Sequence, residues 1–342
     1  MNNGPQPFVT IILPIRNEGG FIARSLGAVL GQDYPAARIE VLVADGMSTD
    51  GTRAVVADLA RTHPNVRLLD NPGKIVSTGL NRALPLARGA VIIRVDGHCE
   101  IAPDYVRRCV AHLLADGVDG VGGPIETVAD TPAGATIALA MGSPFGVGGA
   151  AFRTIRDRAL EVDTIAFPAY TRHAVELAGL YDEEQVRNQD DEYNYRLRAR
   201  GARLLLAPDV RSRYYSRATV RGLARQYYQY GYWKVRVLQK HPRQMSARQF
   251  APPLLVGALL GLGALAPWQQ AARWGLAGVA AAYGLANGAA SLWTARRAGW
   301  GHLPLLPLVF ATLHGGYGLG FLVGLVRFWH HWRTTDDTTK LS

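Results

Sequence analysis

The sequence FVTIILPIRNEGGFIARSLGAVLGQDYPAARIEVLVADGMSTDGT at residues 8–52 decides the fold, because two apolar runs in it flank a segment of helical pattern. FVTIILPI and IEVLVADG predict buried strands, and GGFIARSLGAVLGQ between them predicts a helix. The alternation continues to residue 115, with helices predicted for TRAVVADLARTH, VSTGLNRALPLA and PDYVRRCVAHLLA and strands for NVRLLDN and AVIIRVD. Strands that alternate with helices of this length predict an α/β fold, in which helices cover both faces of a mostly parallel sheet.

Polar residues follow four of these strands at the point where each strand ends. They are Arg16, Asn17, Glu18, Asp45, Asp70, Asn71, Asp96 and His98. Ligands of open α/β sheets bind outside the carboxyl ends of the strands, so these side chains predict a ligand site. No GxGxxG or GxxxxGKS/T motif lies nearby, which disfavours a dinucleotide dehydrogenase and a P-loop kinase.

Two of these strand ends suggest specific chemistry. Asp45 can accept a hydrogen bond from the N–H of a base or from a ribose hydroxyl, and helix capping better suits Ser48 or Asp50, which leaves Asp45 without a structural role. Asp96 and His98 lie on the same side of an extended segment, where a carboxylate and an imidazole are able to hold a divalent cation. Such a cation would neutralise a nucleotide diphosphate and improve it as a leaving group.

A second polar cluster occupies residues 186–201, VRNQDDEYNYRLRARG. Tyr193, Leu197 and Leu204 predict the apolar face of a helix, and the three acids Asp190, Asp191 and Glu192 would begin it. Acids in a first turn are stabilised by the helix dipole, and the alternative is that one of them is a general base for an incoming hydroxyl. The pattern alone does not say which of the three would act.

Charge and apolar residues are distributed unevenly. Residues 187–248 contain fifteen of the 37 lysines and arginines but only four acids, whereas residues 251–326 contain no Asp or Glu. A basic belt that leads into an acid-free apolar tract is typical of a protein at an anionic membrane surface. Nucleic acid is the rival partner for the basic belt, but it does not explain the apolar tract. The 2 cysteines have no CxxC spacing, so neither a disulfide framework nor a zinc knuckle is expected.

The apolar tract contains three candidate membrane spans. Residues 274–294 and 303–326 are long enough to cross a bilayer, and the shorter residues 252–266 predict a re-entrant or interfacial helix. Small residues in all three would permit close helix packing in lipid, and tryptophans lie near the ends. Two topologies are compatible with this pattern, either three full spans or two spans with a re-entrant segment. The alternative to both is a buried helical domain of a soluble protein.

These segments together resemble the family 2 glycosyltransferases with the GT-A fold, in particular the membrane-anchored branch related to the succinoglycan glucosyltransferase. The resemblance rests on residues 8–52, on RVDGH at 94–98 and on RNQDDEYNYRLRARG at 187–201. It extends through PFGVGGAAFR at 144–153, QYYQYGYWKVRV at 226–237 and HGGYGLG at 314–320. Each motif alone is weak, whereas the combination is specific.

The resemblance implies a site for a nucleotide sugar and a catalytic base. Asp45 would hold the uracil ring of a UDP-sugar, and His98 stands where the family's DxD motif has its second acid. Asp96 and His98 would bind Mn²⁺ or Mg²⁺. The family's ED motif aligns with Asp190, because Arg196 then falls in place, so Asp190 would be the base of an inverting transfer. The implied nucleotide-sugar contacts are Pro14, Asn17, Glu18, Asp45, Lys74, Asp96 and Gly97.

The resemblance also implies contacts to the acceptor or the diphosphate. The stretch QYYQYGYWK lies where the family has its QxxRW element, although it also suits an amphipathic helix at headgroup depth. The QxxRW motif itself is absent, which favours single addition of a sugar over polymer extrusion. His314 would face a lipid diphosphate or bond a neighbouring helix. The residues implied for these contacts are Asp191, Arg225, Trp233, Lys234 and His314, while residues 143–148 suggest a mobile acceptor loop.

The sequence therefore predicts a GT-A domain at residues 1–216, amphipathic interfacial helices at 217–250, two or three transmembrane helices at 251–332 and a tail at 333–342. The predicted function is transfer of a hexose from a UDP-sugar to a sugar on a polyprenyl diphosphate, with the catalytic domain on the cytoplasmic side of the membrane. No nucleic-acid partner is expected. A nucleotidyltransferase-like enzyme and a non-catalytic membrane scaffold are the rival predictions.

Overall fold

A computed structural model describes residues 6–215 and 219–332 of the chain. The described residues divide into two compact units. The front unit comprises residues 6–126 and 151–215, and the helical unit comprises residues 127–150 and 219–332. The predicted boundary at residues 216 and 217 and the predicted tail at 333–342 lie outside the described residues. Residues 127–150, which the sequence assigned to the front domain, pack with the helical unit.

The elements agree with the predicted alternation up to residue 115. The strands are β1 (Val9–Ile15), β2 (Ile39–Asp45), β3 (Val66–Asp70), β4 (Val91–Arg94), β5 (Cys99–Ile101), β6 (Gly120–Gly122), β7 (Ile125–Val128), β8 (Leu160–Glu161), β9 (Ala169–Thr171), β10 (Leu204–Leu206) and β11 (Ser212–Tyr215). The helices are α1 (Ile22–Leu30), α2 (Thr52–Thr62), α3 (Val76–Ala83), α4 (Tyr105–Ala115), α5 (Pro132–Met141), α6 (Pro144–Val147), α7 (Ala151–Thr154), α8 (Arg172–Ala178), α9 (Gln189–Ala199), α10 (Val220–Lys240), α11 (Ala251–Leu265), α12 (Gln270–Ala298) and α13 (Leu306–Arg327).

The main sheet brings the polar strand ends together. Its strand order is β3-β2-β1-β4-β9-β6-β10-β8, and β3, β2, β1 and β4 are all parallel. The carboxyl ends of these four strands therefore meet at one edge, as predicted. Beyond β4 the sheet is mixed, because β9 runs antiparallel to both β4 and β6. A second, three-stranded sheet has the order β5-β11-β7.

Alternation along the central strands builds a core on each face of the main sheet. Ile11 and Leu13 of β1 belong to one buried cluster, whereas Ile12 belongs to the cluster on the opposite face with Leu42. Successive side chains of a strand point to opposite faces, so a strand buried on both sides must be apolar throughout. That requirement explains why β1 and β2 are continuous apolar runs.

The helix predicted around Tyr193 ends earlier than its apolar pattern indicated. Leu204 was expected on the same helix as Tyr193 and Leu197, but α9 ends at Ala199 and Leu204 begins β10. Gly201 adopts a φ of 88°, a left-handed conformation that glycine tolerates and that stops the helix. Tyr193 and Leu197 are fully buried against the sheet, as the pattern predicted.

Close helix packing in the helical unit rests on glycine, as the small residues predicted. A Cβ atom at Gly320 would overlap the carbonyl oxygen of Tyr228, and one at Gly231 would overlap that of Tyr317. Helices α10 and α13 therefore approach so closely that a larger residue at either position would push them apart. Because Gly316 lies near Ala224 and Gly320 near Tyr228, the two helices run parallel to each other.

Within the described residues, two helical segments are long and apolar enough to cross a membrane, Ala247–Leu265 and Leu306–Arg327. This differs from the predicted spans at two points, since residues 252–266 belong to one of these segments and the predicted span at 274–294 is not apolar enough to be one of them. The segment at residues 252–266 reaches span length because a short 3₁₀ turn, Ala247–Phe250, extends α11, whereas α12 is long but Ala-rich and interrupted by polar residues such as Asn287. The helical unit also leaves large apolar side chains exposed, among them Leu254, Trp268, Trp274, Leu285 and Val326.

Candidate nucleotide-sugar site

Backbone hydrogen bonds tie the loop after β1 to the loop after β2. The N–H of Asn17 donates to Ser48 Oγ over 2.8 Å, and the N–H of Thr49 donates to Asn17 Oδ1 over 2.9 Å. The N–H of Glu18 donates to Thr52 Oγ1 over 2.9 Å, at the start of α2. The predicted contacts Asn17 and Glu18 are thus held in place by the turn that follows Asp45.

Strained backbone conformations cluster around the same edge of the sheet. Asn17, Met47 and Lys74, which follow β1, β2 and β3, have φ values of 54°, 56° and 62°. Asn188, which caps the start of α9, has a φ of 61°. Left-handed backbone is uncommon outside glycine and concentrates at ligand sites, where the surrounding structure enforces it. This observation makes the edge a candidate site independently of the side-chain chemistry.

Asp45 has a structural role, contrary to the expectation from sequence. Its side chain is fully buried and accepts hydrogen bonds from the backbone N–H of Ser48 (3.0 Å) and from Arg53 Nη1 (2.7 Å). Arg53 also donates from Nη2 to Asp70 Oδ1 over 2.7 Å. The hydrogen bonds and charges of Asp70 and Asp45 raise the pKa of the Arg53 guanidinium. Arg53 thus links the ends of β2 and β3, a role that the sequence did not suggest.

The end of β4 carries a histidine that is oriented by a carboxylate. His98 Nδ1 lies 2.9 Å from Glu18 Oε1, and both side chains are about one-fifth exposed, at 21% and 19%. A carboxylate that accepts from Nδ1–H leaves the Nε2 lone pair for another partner, which is the arrangement of most metal-binding histidines. Gly97 permits this approach, because a Cβ there would lie 2.8 Å from Glu18 Cγ and 2.9 Å from Ile15 Cγ2.

The residues present fit a cation shared with a ligand better than a site enclosed by protein. No group of three or more His, Cys, Asp or Glu side chains within the described residues is arranged to hold a metal ion. Asp96 and His98 supply one carboxylate and one imidazole nitrogen. Mg²⁺ and its analogues are commonly bound by one or two protein groups together with substrate phosphates and water, so two protein ligands suffice.

Arg94 connects the predicted metal ligand to the predicted base. Its Nε donates to Asp96 Oδ1 over 2.9 Å, and its Nη1 donates to Asp190 Oδ1. The Arg94 side chain is only 7% exposed, against 21% for Asp96 and 38% for Asp190. Burial alone would lower the pKa of Arg94, but the charge and hydrogen bond of Asp96, together with the nearby Tyr181 and Tyr170, outweigh burial and hold that pKa above the ordinary value. A single buried guanidinium therefore holds two carboxylates from separate segments of the chain.

The three acids at the start of α9 have different surroundings. Glu192 is buried and forms a forked ion pair with Arg196, with distances of 2.6 Å and 3.0 Å. Arg196 also donates to the carbonyl oxygens of Ala178 and Leu180, which fixes α9 to the end of α8. Glu192 is therefore committed to Arg196 within the front unit. Asp190 keeps Oδ2 without a hydrogen-bond partner among the described residues, and Asp191 is half-buried beside it.

Pro14 and Lys74, the remaining residues of the predicted donor site, lie on neighbouring elements. Pro14 pairs with Ala44 near the end of β1, and a Cβ at Gly79 of α3 would contact both. Lys74 is exposed just before α3 begins. Their elements are adjacent, since α3 packs against β1 and β2.

The predicted acceptor residues of the helical unit do not share one surface. On α10, Arg225 is exposed, Trp233 packs on Phe328 with ring centres 5.6 Å apart, and Lys234 is only 2% exposed. His314 contacts Tyr283 OH through Nδ1 (2.9 Å) and the carbonyl oxygen of Phe145 through Nε2 (2.8 Å). Both ring nitrogens of His314 are therefore engaged within the unit, which leaves neither for a lipid diphosphate.

The segment predicted as a mobile acceptor loop is a short helix with a packed aromatic ring. Residues Pro144–Val147 form α6, and Ser143 caps it by accepting from the N–H of Phe145. The Phe145 ring stacks edge-on against Phe310 and His314, with centres 5.1 Å and 4.9 Å apart. The segment is thus anchored by its aromatic contacts.

Comparison with known proteins gives consistent matches. The chain matches the family described as Glycosyl transferase family 2 over residues 10–167. It is 31% identical over 332 residues to the succinoglycan biosynthesis protein ExoA of Rhizobium meliloti, with 93% of this chain and 95% of that protein covered. A dolichyl N-acetyl-alpha-D-glucosaminyl phosphate 3-beta-D-2,3-diacetamido-2,3-dideoxy-beta-D-glucuronosyltransferase of Methanococcus voltae is 27% identical over 241 residues, covering 68% of this chain and 74% of that protein.

Solved structures share the architecture. The mannosyltransferase PcManGT from Pyrobaculum calidifontis, in complex with GDP-Man and Mn²⁺, has a TM-score of 0.59 at 25% identity, covering 94% of this chain and 88% of that chain. TarS 1–349 of S. aureus, in complex with UDP, has a TM-score of 0.51 at 15% identity, covering 93% and 91%. These similarities confirm the predicted GT-A fold, and for TarS they show the fold alone.

Proposed function

Since the chain belongs to glycosyltransferase family 2, we propose that it transfers a hexose from a UDP-sugar to a hydroxyl group of a sugar carried on a polyprenyl diphosphate. The chain is a glycosyltransferase of polysaccharide or glycan biosynthesis, and the resemblance predicted from sequence is confirmed at that level. The donor, the acceptor and the inverting course of the reaction are our proposal. The observation that carries it is the Arg94 bridge between Asp96, on the donor side, and Asp190.

We assign the donor site to the edge where β1, β2, β3 and β4 end. Support comes from the clustered left-handed backbone and from the mannosyltransferase whose structure contains GDP-Man and Mn²⁺. The donor residues remain those predicted, Pro14, Asn17, Glu18, Asp45, Lys74, Asp96 and Gly97. Asp45 accepts three hydrogen bonds, from the backbone N–H and the hydroxyl group of Ser48 and from Arg53. A carboxylate accepts about four, so one lone pair of Asp45 would remain for the donor.

Asp96 and His98 would hold a divalent cation, Mn²⁺ or Mg²⁺, when the donor binds. When bound, the cation would neutralise the diphosphate and so stabilise the leaving nucleotide. His98 Nε2 is the free nitrogen for this role, because Nδ1 is committed to Glu18. An imidazole in place of the second acid favours Mn²⁺ over Mg²⁺, since nitrogen ligands suit transition metals better than magnesium.

Asp190 would be the base of the transfer. Its Oδ2 would take the proton of the acceptor hydroxyl, whose oxygen then attacks the anomeric carbon as the bond from that carbon to the diphosphate breaks. Attack from the face opposite the leaving nucleotide inverts the anomeric configuration. Arg94 holds Oδ1 and thereby orients the carboxylate. Asp191 would assist in placing the acceptor.

We place the protein at a membrane, with the front unit on the cytoplasmic side and the helical unit multi-pass or re-entrant. The support is the pair of apolar segments and the exposed apolar side chains of the helical unit. We keep residues 1–216, 217–250 and 251–332 as the proposed catalytic, interfacial and membrane regions. A lipid-linked acceptor follows from such a location, because a membrane enzyme meets its substrate in the same bilayer.

The deciding experiment measures nucleotide release by the detergent-purified full chain. A panel of UDP-sugars and GDP-mannose is supplied with Mn²⁺, with Mg²⁺ or with chelator, in the presence and absence of a polyprenyl-diphosphate-linked sugar. We expect Mn²⁺-dependent release from one UDP-sugar, stimulated by the lipid acceptor. If nucleotide is released from GDP-mannose and from none of the UDP-sugars, the proposed UDP-sugar donor is wrong. If no nucleotide binds under any condition, a non-catalytic scaffold is favoured.

We predict that Glu18→Gln weakens Mn²⁺ binding about tenfold. Loss of a carboxylate partner reduces the basicity of the opposite ring nitrogen, and such changes typically cost 10–100-fold in metal affinity. The affinity is measured by electron paramagnetic resonance of Mn²⁺ titrated with protein and UDP. Glu126→Gln is the control, since it removes an exposed ion pair with Arg213. Equal Mn²⁺ affinity in Glu18→Gln and wild type would remove His98 from the metal site.

A further inference from the structure

An open apolar groove of about 580 Å³ runs along the helical unit, between α10 and α13. Its lining residues are Ala224, Arg225, Tyr228, Leu308, Ala311, Thr312, Gly315, Gly316 and Leu319. The volume falls within the range of small-molecule sites. None of the proposed donor-site residues lines this groove.

Glycine and alanine make the groove. Gly316 sits close to α10, because a Cβ there would lie 3.1 Å from the carbonyl oxygen of Ala224. A Cβ at Gly315, one residue earlier, meets no atom within 4 Å and would project into open space. Gly316 therefore allows the two helices to approach closely, and Gly315 leaves the space beside it without a side chain. Leu308 and Leu319, both exposed, form the walls on α13.

Among the described residues, Arg225 is the one charged residue that lines the groove. It is exposed, and it forms no hydrogen bond or ion pair with any other residue in the described ranges 6–215 and 219–332. Thr312, the polar residue of α13 in the lining, donates its hydroxyl proton to the carbonyl oxygen of Leu308 (2.7 Å). The groove thus combines an apolar surface with the guanidinium of Arg225, which is unpaired in the described part of the chain. These features are complementary to an amphiphile with an apolar chain and an anionic headgroup.

We propose that this groove binds the isoprenoid chain of the lipid-linked acceptor, with Arg225 on its diphosphate. The proposal rests on the proposed function, because that function supplies the lipid. Two observations favour an isoprenoid diphosphate over a soluble partner. The groove lies on α13, one of the two described segments that are apolar enough to cross a membrane. Arg225, the one charge among the described lining residues, complements a phosphate. An ordinary anionic phospholipid is the competing occupant.

The test fills the groove and compares two acceptors. Gly315→Leu places a side chain in the open space, and Gly261→Leu adds the same side chain at an exposed position of α11 that also has no atom within 4 Å. Each variant is assayed in nanodiscs with one sugar on a long polyprenyl diphosphate and on a short, water-soluble alkyl diphosphate. We expect Gly315→Leu to raise KM about tenfold for the long acceptor only and Gly261→Leu to behave as wild type.

The variant Arg225→Gln tests recognition of the diphosphate separately from binding of the isoprenoid chain. We expect it to raise KM about fivefold for both acceptors, since both carry the diphosphate. A second groove variant is the double substitution Leu308→Ala and Leu319→Ala. It removes the two leucine walls and tests the groove if Gly315→Leu does not fold.

We expect the double variant to raise KM several fold for the long acceptor. Donor binding by each purified variant verifies folding.

The outcomes distinguish the groove from the function itself. If the wild type cleaves its donor but transfers to neither acceptor, the proposed acceptor fails, whatever the groove binds. If the wild type transfers and the groove variants change KM equally for both acceptors, or for neither, the groove proposal is overturned. Anionic phospholipid in the nanodisc provides the last comparison. If it raises the wild-type KM for the long acceptor but not the KM of Gly315→Leu, the groove binds ordinary membrane lipid instead.

Discussion

Asp190→Asn is expected to lower the rate of sugar transfer by about 10³-fold and to leave donor binding within about twofold of wild type. Asparagine has the shape of aspartate, and its amide oxygen still accepts from Arg94, so the bridge to Asp96 is preserved. It has no oxygen that can take a proton from the acceptor hydroxyl. The turnover number falls for that reason, whereas the affinity for the nucleotide and Mn²⁺ does not depend on the base.

The measurement combines steady-state transfer with calorimetric binding of UDP and Mn²⁺. Asp58→Asn on α2 is the matched control, because Asp58 is exposed and, within the described part of the chain, pairs only with Arg61 on the same helix. We expect this control to transfer at the wild-type rate. Loss of UDP binding together with transfer in Asp190→Asn would place Asp190 in the donor site, and retention of more than about a tenth of the activity would place the base elsewhere.

The fold was predictable from sequence because its signals are local. Apolar runs such as those of β1 and β2 are continuous, since both faces of the strand are buried, and each helix between them has its own periodicity. The convergence of Asn17, Asp45 and Asp96 follows from topology, since parallel strands end at the same edge. The resemblance to the family then added what local patterns do not contain, the prediction that Asp190 is the base among three adjacent acids.

The contacts that organise the site were not predictable, because they join distant residues. Arg94 reaches Asp190 across 96 positions, and Glu18 reaches His98 across 80. An arginine at the end of an apolar strand gives no sign of its partners. The same limit affected Asp45, whose bonds to Ser48 and Arg53 depend on how a turn folds back. Sequence thus predicted candidate ligand contacts, whereas the residues that hold those side chains in place required coordinates.

Arg94→Lys is expected to lower the turnover number about 100-fold, with a change in donor KM of less than about threefold. Lysine keeps the charge, but its ammonium group is a single point, whereas the planar guanidinium of Arg94 donates to Asp96 and Asp190 at once. One of the two carboxylates would lose its orientation. Small displacements of catalytic groups commonly cost about 10²-fold in rate.

A double-mutant cycle distinguishes positioning of the base from a general structural role. If Arg94 acts through Asp190, Arg94→Lys combined with Asp190→Asn should transfer within about twofold of Asp190→Asn alone, because a base that has been removed no longer needs orientation. Additive losses would mean that Arg94 acts independently of Asp190. Arg88→Lys is the control, since Arg88 also pairs with a carboxylate, the buried Glu40, but it precedes β4 at the opposite end of that strand. We expect Arg88→Lys to alter stability and not turnover, which ties the loss in Arg94→Lys to the two carboxylates that this guanidinium joins.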